Sequence, residues 1–249
     1  MQNFTQFLVT LLLFALSFGT GHGVVLSLSS GGVELNYDDN DTDSASLLVD
    51  GVDNLYEYGF YFRRPNGSIA KLTNGSLLDP DTLRYEQNNV VIDISFALPS
   101  TNAPDVDVSI DITSNRRNDF SGSIFFYFDY DLNNGITGHD ASITGDTMTV
   151  TEPGGVTAQI TGTDADAYQI AEYSGLRTSI ETGNSLDNTG DGFTNGDFTG
   201  AFQWDFTLSQ GESVTYDSVA VLPEASNAGL ILGICAILWS SRRNLRLRA

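Results

Sequence analysis

Three short stretches place oxygen-bearing side chains at the close, alternating spacing that a hard cation needs. They are Asp39-Asn40-Asp41-Thr42-Asp43, Asp129-Tyr130-Asp131-Leu132-Asn133, and Asp187-Asn188-Thr189-Gly190-Asp191-Gly192 running on to Asn195 and Asp197. Calcium takes six to eight oxygens from carboxylates, amides and backbone carbonyls, and every second residue of a turn can aim one inward. The third stretch sets Gly192 directly after Asp191, as calcium loops do, but Phe198 stands where a closing bidentate Glu belongs. In the first stretch Ser44 takes the glycine place, and Asp50 falls at the closing one. The candidate metal ligands are therefore Asp129, Asp131, Asp187, Asp191, Asn195 and Asp197, with calcium as the expected ion and no other cofactor implied. Asp, Asn and Gly also dominate turns for purely conformational reasons.

Other chemistry finds less material. The chain has two histidines and one cysteine in 249 residues. Outside the extreme N-terminus only His139 could act as a base, and in Gly138-His139-Asp140 it reads as a solvated loop residue, so no catalytic residue is assigned. A glycosidase needs two carboxylates flanking a sugar bond. With 32 acidic side chains, some pair meets that spacing by chance, and abundance erases the signal. Arg63-Arg64 and Arg116-Arg117 could grip an acidic polysaccharide, although both pairs sit beside turns as ordinary solvated charge does. Trp204 shares a strand face with Phe202 and Phe206, which assigns it to the core and not to a sugar-stacking surface. The formal net charge of −21 excludes nucleic acid as a partner, because such binding rests on cationic side chains.

The elements that must hold these residues are strands. In Asp105-Val106-Asp107-Val108-Ser109-Ile110-Asp111-Ile112-Thr113 apolar and polar residues alternate without a break, the mark of a half-buried strand. Val90 to Phe96 and Phe202 to Leu208 alternate likewise. Further strands are expected over Leu55 to Phe62, Gly122 to Phe128, Thr147 to Thr151, Val156 to Thr161 and Ser213 to Leu222, separated by Gly, Asn and Asp turns. No interval carries an amphipathic helical stripe of useful length. The expectation is all-β: one antiparallel β-sandwich over residues 24–222, with polar outer faces.

The two ends read as addresses. Phe7 to Phe18 is an apolar run followed by the small residues Gly19-Thr20-Gly21-His22-Gly23, the pattern of a signal peptide over residues 1–23 that signal peptidase would remove. At the other end Pro223-Glu224-Ala225 precedes an apolar run, Ala228 to Trp239, and then Arg242, Arg243, Arg246 and Arg248. Twelve residues at helical rise span about 18 Å, short of the roughly 30 Å hydrocarbon core, which suits a transient anchor with the tail in the cytoplasm.

Those three parts in that order resemble the PEP-CTERM sorting signal of Gram-negative exported proteins, over residues 223–249. The segments Tyr56 to Arg64, Phe126 to Leu132 and Gly200 to Leu208 resemble stretches of an uncharacterised group of such cargo proteins. The resemblance implies processing by an exosortase-like membrane protease, a transient inner-membrane stop, and a destination in the cell envelope or outside it, beside exopolysaccharide or biofilm. The leading functional expectation is accordingly a non-enzymatic acidic surface or extracellular-matrix protein. Its alternatives are a calcium- or carbohydrate-binding module, or a polysaccharide-acting glycosidase using paired carboxylates.

Overall fold

The computed structural model describes residues 24–41, 45–98, 104–188 and 192–222. The leader, the Pro223-Glu224-Ala225 motif, the apolar C-terminal run, the arginine tail and Asp191 lie outside the described residues. Among the described residues no helix is long and apolar enough to cross a membrane.

The described residues are mostly antiparallel strands. A nine-stranded sheet runs, edge to edge, Phe193–Gly196, His139–Thr144, Thr147–Thr151, Thr157–Gly162, Ser213–Val221, Asp105–Ser114, Val90–Ala97, Thr82–Gln87 and Ser76–Asp79. A five-stranded sheet runs Ala167–Glu172, Phe198–Leu208, Phe120–Asp129, Glu57–Arg63 and Ile69–Lys71. Four short strands, Val25–Ser30, Val33–Asp38, Ser46–Val49 and Val52–Asp53, form a smaller third sheet.

The two larger sheets face each other across one core. Alternation in Glu57–Arg63 and Phe120–Asp129 turns Tyr58, Phe60, Phe62, Ile124, Phe126 and Phe128 inward, where they join Phe202, Trp204 and Phe206. Rings bridge the layers: Phe60 meets Phe96 edge-on at 6.1 Å, and Trp204 stacks on Tyr216 at 5.6 Å. Trp204 is fully buried, and its Nε1–H donates to the Thr163 carbonyl at 2.9 Å. Close approach is enforced at Gly162, where a Cβ would sit 2.4 Å from the Phe202 ring.

The outer face of the five-stranded sheet departs from the expectation of a polar exterior. Tyr61, Phe125, Tyr127 and Ala201 on that face are buried beneath a single short helix, Gly175–Glu181, which contributes Leu176 and Ile180. Seven residues are too few for a periodic stripe to show, so this helix escapes a reading by period. Glu57 is fully buried in the same layer, paired with Arg177 at 2.9 Å and Lys71 at 3.6 Å.

Candidate metal centre

Where the central strands of the five-stranded sheet end, acidic residues replace aromatic ones. Asp129 closes its strand opposite Glu57 on one side and Thr199 on the other. Two residues on, Asp131 opens a 3₁₀ turn, Leu132–Asn134, whose left-handed Asn133 and Asn134 reverse the chain. That turn is pinned by the Asn133 N–H donating to Asn54 Oδ1 at 3.0 Å and by Asn133 Nδ2 donating to Glu152 Oε1 at 2.8 Å. The returning chain enters the strand His139–Thr144, where His139 pairs with Gly196. That pairing sets Asp197, the next residue, beside the imidazole. One ligand atom each from Asp131, His139 and Asp197 lies within 4.8 Å of the others.

The electrostatics of this cluster are those of acids lacking a counter-charge. Burial, reinforced by the charges of Asp131, Asp197 and Glu57 and opposed by Arg177, pushes the Asp129 carboxyl up to about 9. Burial together with Asp197 and Asp53 pushes Asp131 up to about 6. Asp197 is raised by burial and by Glu172, and burial lowers His139 against the pull of Glu152. Of the nine buried side-chain atoms without a hydrogen-bond partner among the described residues, four fall here: Asp129 Oδ1, Asp131 Oδ1, and His139 Nδ1 and Nε2. A buried imidazole with both nitrogens unpaired carries a desolvation cost of about 1–3 kcal/mol per group, which a ligand would remove.

A neutral imidazole and two carboxylates make a nitrogen-and-oxygen donor set for a divalent ion. Ligand atoms about 2.1 Å from a common tetrahedral ion lie roughly 3.4 Å apart, whereas these lie within 4.8 Å of one another, so the three side chains must draw together to close on an ion. Asp129, adjoining the two aspartates through its field, adds negative charge behind them.

The sequence expectations divide cleanly here. Asp129, Asp131 and Asp197 come together from two different acidic stretches. Asp187 stays with the segment after the helix, whose neighbour Asn188 accepts from the Tyr168 N–H at 3.0 Å. The backbone N–H of Asn195 donates to Asp140 Oδ1 at 3.0 Å. In the first stretch Asp39 spends both oxygens on the backbone, Oδ1 on Val24 N–H at 3.1 Å and Oδ2 on Gly75 N–H at 2.6 Å, and so clamps the fold.

His139 corrects the reading of it as a solvated loop residue: it is fully buried. The signal that could have found it is the alternation His139, Ala141, Ile143, which continues inward from the histidine. Arg63 is likewise not solvated charge. It lies over the Phe125 ring at 5.2 Å, donates to Ser123 and to Ser185 at 2.7 Å, and lines an open cleft of about 560 Å³ with Arg64, Asp205 and Thr207.

No family model matches the chain, and no curated protein does. Among solved structures it is similar to a bacterial glucoamylase complexed with acarbose, with a TM-score of 0.59 and 9% identity, over 86% of this chain and 35% of that one. A polysaccharide lyase gives 0.49 and 14% identity over 83% and 33% of the two chains. A heparinase III gives 0.45 and 9% over 85% and 36%. The chain thus spans about a third of the length of these structures. At such identity the likeness to the glucoamylase is one of fold. It nonetheless overturns the expectation of a non-enzymatic surface or matrix protein, which rested on the delivery signal and the scarcity of catalytic side chains. The alternatives, a calcium- or carbohydrate-binding module or a polysaccharide-acting glycosidase, fit that fold better.

Proposed function

We propose that this chain is a carbohydrate-engaging β domain organised around a divalent cation held by Asp131, His139 and Asp197. The observation that carries the reading is the buried His139 ring, both nitrogens unpaired, facing two carboxylates within 4.8 Å. An imidazole nitrogen suits zinc or manganese better than calcium, which takes oxygen alone, so the ion is a first-row metal and not the calcium that the loop spacing suggested. Carbohydrate as the wider ligand class is supported by the fold shared with a glucoamylase that was solved with acarbose. The same likeness of fold also fits a glycosidase using paired carboxylates, in which Glu57, buried and paired with Arg177 and Lys71, would take no part. Export by the leader and release through the PEP-CTERM-like tail remain part of the proposal, supported by residues 1–23 and 223–249 of the sequence.

Thermal melts of the full-length protein, stripped with a chelator and then titrated with zinc, manganese or calcium, test it. A ligand at a hundredfold excess over its dissociation constant stabilises the folded form by about 2.7 kcal/mol, or on the order of 5–10 °C here. Zinc or manganese is expected to give that shift. No shift with any of the three ions, or one that survives His139→Ala, sinks the reading.

A further inference from the structure

Three of the seven exposed large apolar side chains among the described residues, Tyr56, Tyr173 and Ile136, belong to segments joined through the backbone to the acidic cluster. Ile136 lies in the loop between Asp131 and His139. Tyr56 and Tyr173 come from distant parts of the chain, yet their rings meet edge to face with centroids 5.9 Å apart and remain 38% and 39% exposed. Each is tied by its own backbone to the acidic cluster. The Tyr56 N–H donates to the Asp129 carbonyl at 2.9 Å, and the Tyr173 N–H donates to the Asp197 carbonyl at 3.0 Å. Every other aromatic pair among the described residues includes at least one ring in the shared core. This pair stays partly exposed, and its two backbones are bonded to Asp129 and Asp197.

We infer that the Tyr56–Tyr173 pair is the stacking platform of a neutral saccharide whose vicinal hydroxyls complete the coordination of the cation on Asp131, His139 and Asp197. This rests on the cation reading. Three protein ligands leave positions on a divalent ion open to outside oxygen atoms, and a pair of adjacent hydroxyls supplies two. A pyranose has an apolar C–H face that an aromatic ring covers, while its polar edge wants hydrogen bonds or a metal. The charge of the chain selects against the acidic members of the class: between Val24 and Leu222 there are 31 acidic and 7 basic residues, a field that repels polyanions. The perpendicular setting of the rings offers one face and one edge, a corner that receives a single sugar unit and not a flat fused ring system.

Native electrophoresis of the full-length, zinc-loaded protein through gels containing soluble starch, galactomannan or alginate tests this. Retardation by a neutral polysaccharide and none by alginate is expected. Tyr56→Ala and Tyr173→Ala should each weaken retardation roughly tenfold, a loss of about 1.4 kcal/mol, while Tyr56→Phe and Tyr173→Phe hold it within twofold because the ring survives. Treatment with EDTA should weaken it comparably. Overturning results are unretarded wild type in both neutral gels, alanine variants that migrate as wild type does, or retardation undiminished by EDTA. The metal-dependent shift in melting temperature, read on the same variants, separates the two ideas. If Tyr56→Ala keeps that shift and also keeps retardation, the platform falls and the cation stands; if wild type lacks the shift, the cation reading falls, whatever the gels show.

Discussion

The five-stranded sheet has an aromatic side and an acidic end, and the two are built by opposite rules. On the inward side several large groups are matched: Phe60 stacks on Phe126 at 4.9 Å, the Tyr58 and Tyr130 hydroxyls bond each other, and Trp204 finds a carbonyl. At the end of the same strands the rule fails, for Asp129, Asp131 and His139 are buried with polar atoms unpaired. Stability is thus concentrated in one region and a standing cost is held in the other. The cation proposed above would remove that cost by pairing the imidazole and the carboxylates.

The largest expected effect breaks the aromatic side. Trp204→Ala removes a fully buried ring and should cost about 4 kcal/mol, read as a lower melting temperature by urea or heat. If the two regions are independent, the gain on adding zinc to this variant remains that of wild type.

Next in size is the acidic end. His139→Ala should abolish the metal-linked gain of about 2.7 kcal/mol while leaving the chelator-stripped protein no less stable, because an unpaired imidazole leaves with it. A stripped variant much weaker than stripped wild type would show that the ring has a packing role instead.

The pH dependence sharpens the contrast. Asp129 and Asp131 have raised values in the folded chain, so their contribution is full below the unfolded value near about 4 and is lost as pH rises through about 6 for Asp131 and about 9 for Asp129. The metal-free protein should therefore lose stability from pH 5 to pH 9. Asp129→Asn, which mimics the protonated form, should flatten that slope and stabilise the stripped protein at pH 8 by on the order of 2 kcal/mol. With zinc bound the sign reverses near Asp131, since binding needs its carboxylate and weakens below about 6. A stripped protein that grows more stable with rising pH over this range contradicts the electrostatic picture. The smallest effect belongs to the surface: Tyr56→Ala, which removes a partly exposed ring and its edge contact with Tyr173, should cost about 1 kcal/mol in a melt.

How much of this was legible beforehand follows from where the information lies. Strands with one solvated face announce themselves, and Asp105–Ser114 and Val90–Ala97 match their expected alternation to within a residue at each end. Glu57–Arg63 and Phe120–Asp129 are recognisable only as apolar runs, because helix Gly175–Glu181 buries their outer face too. The short edge strands Ile69–Lys71 and Phe193–Gly196 are too brief to carry a period. The two metal-site aspartates, Asp131 and Asp197, were visible by type, but their meeting depends on the His139–Gly196 pairing, a long-range contact that no local spacing encodes. Asp39 has the same local chemistry as Asp131 and a different fate, because Val24 and Gly75 happen to present their N–H groups to it.

X-ray absorption at the zinc edge of the full-length protein, loaded with one equivalent and compared with its His139→Ala variant, tests the central claim most directly. The account predicts oxygen and nitrogen ligands at about 2.0–2.1 Å with the outer-shell signature of one imidazole, absent from the variant. A coordination sphere of oxygen alone in wild type, or the same spectrum from both proteins, would contradict it.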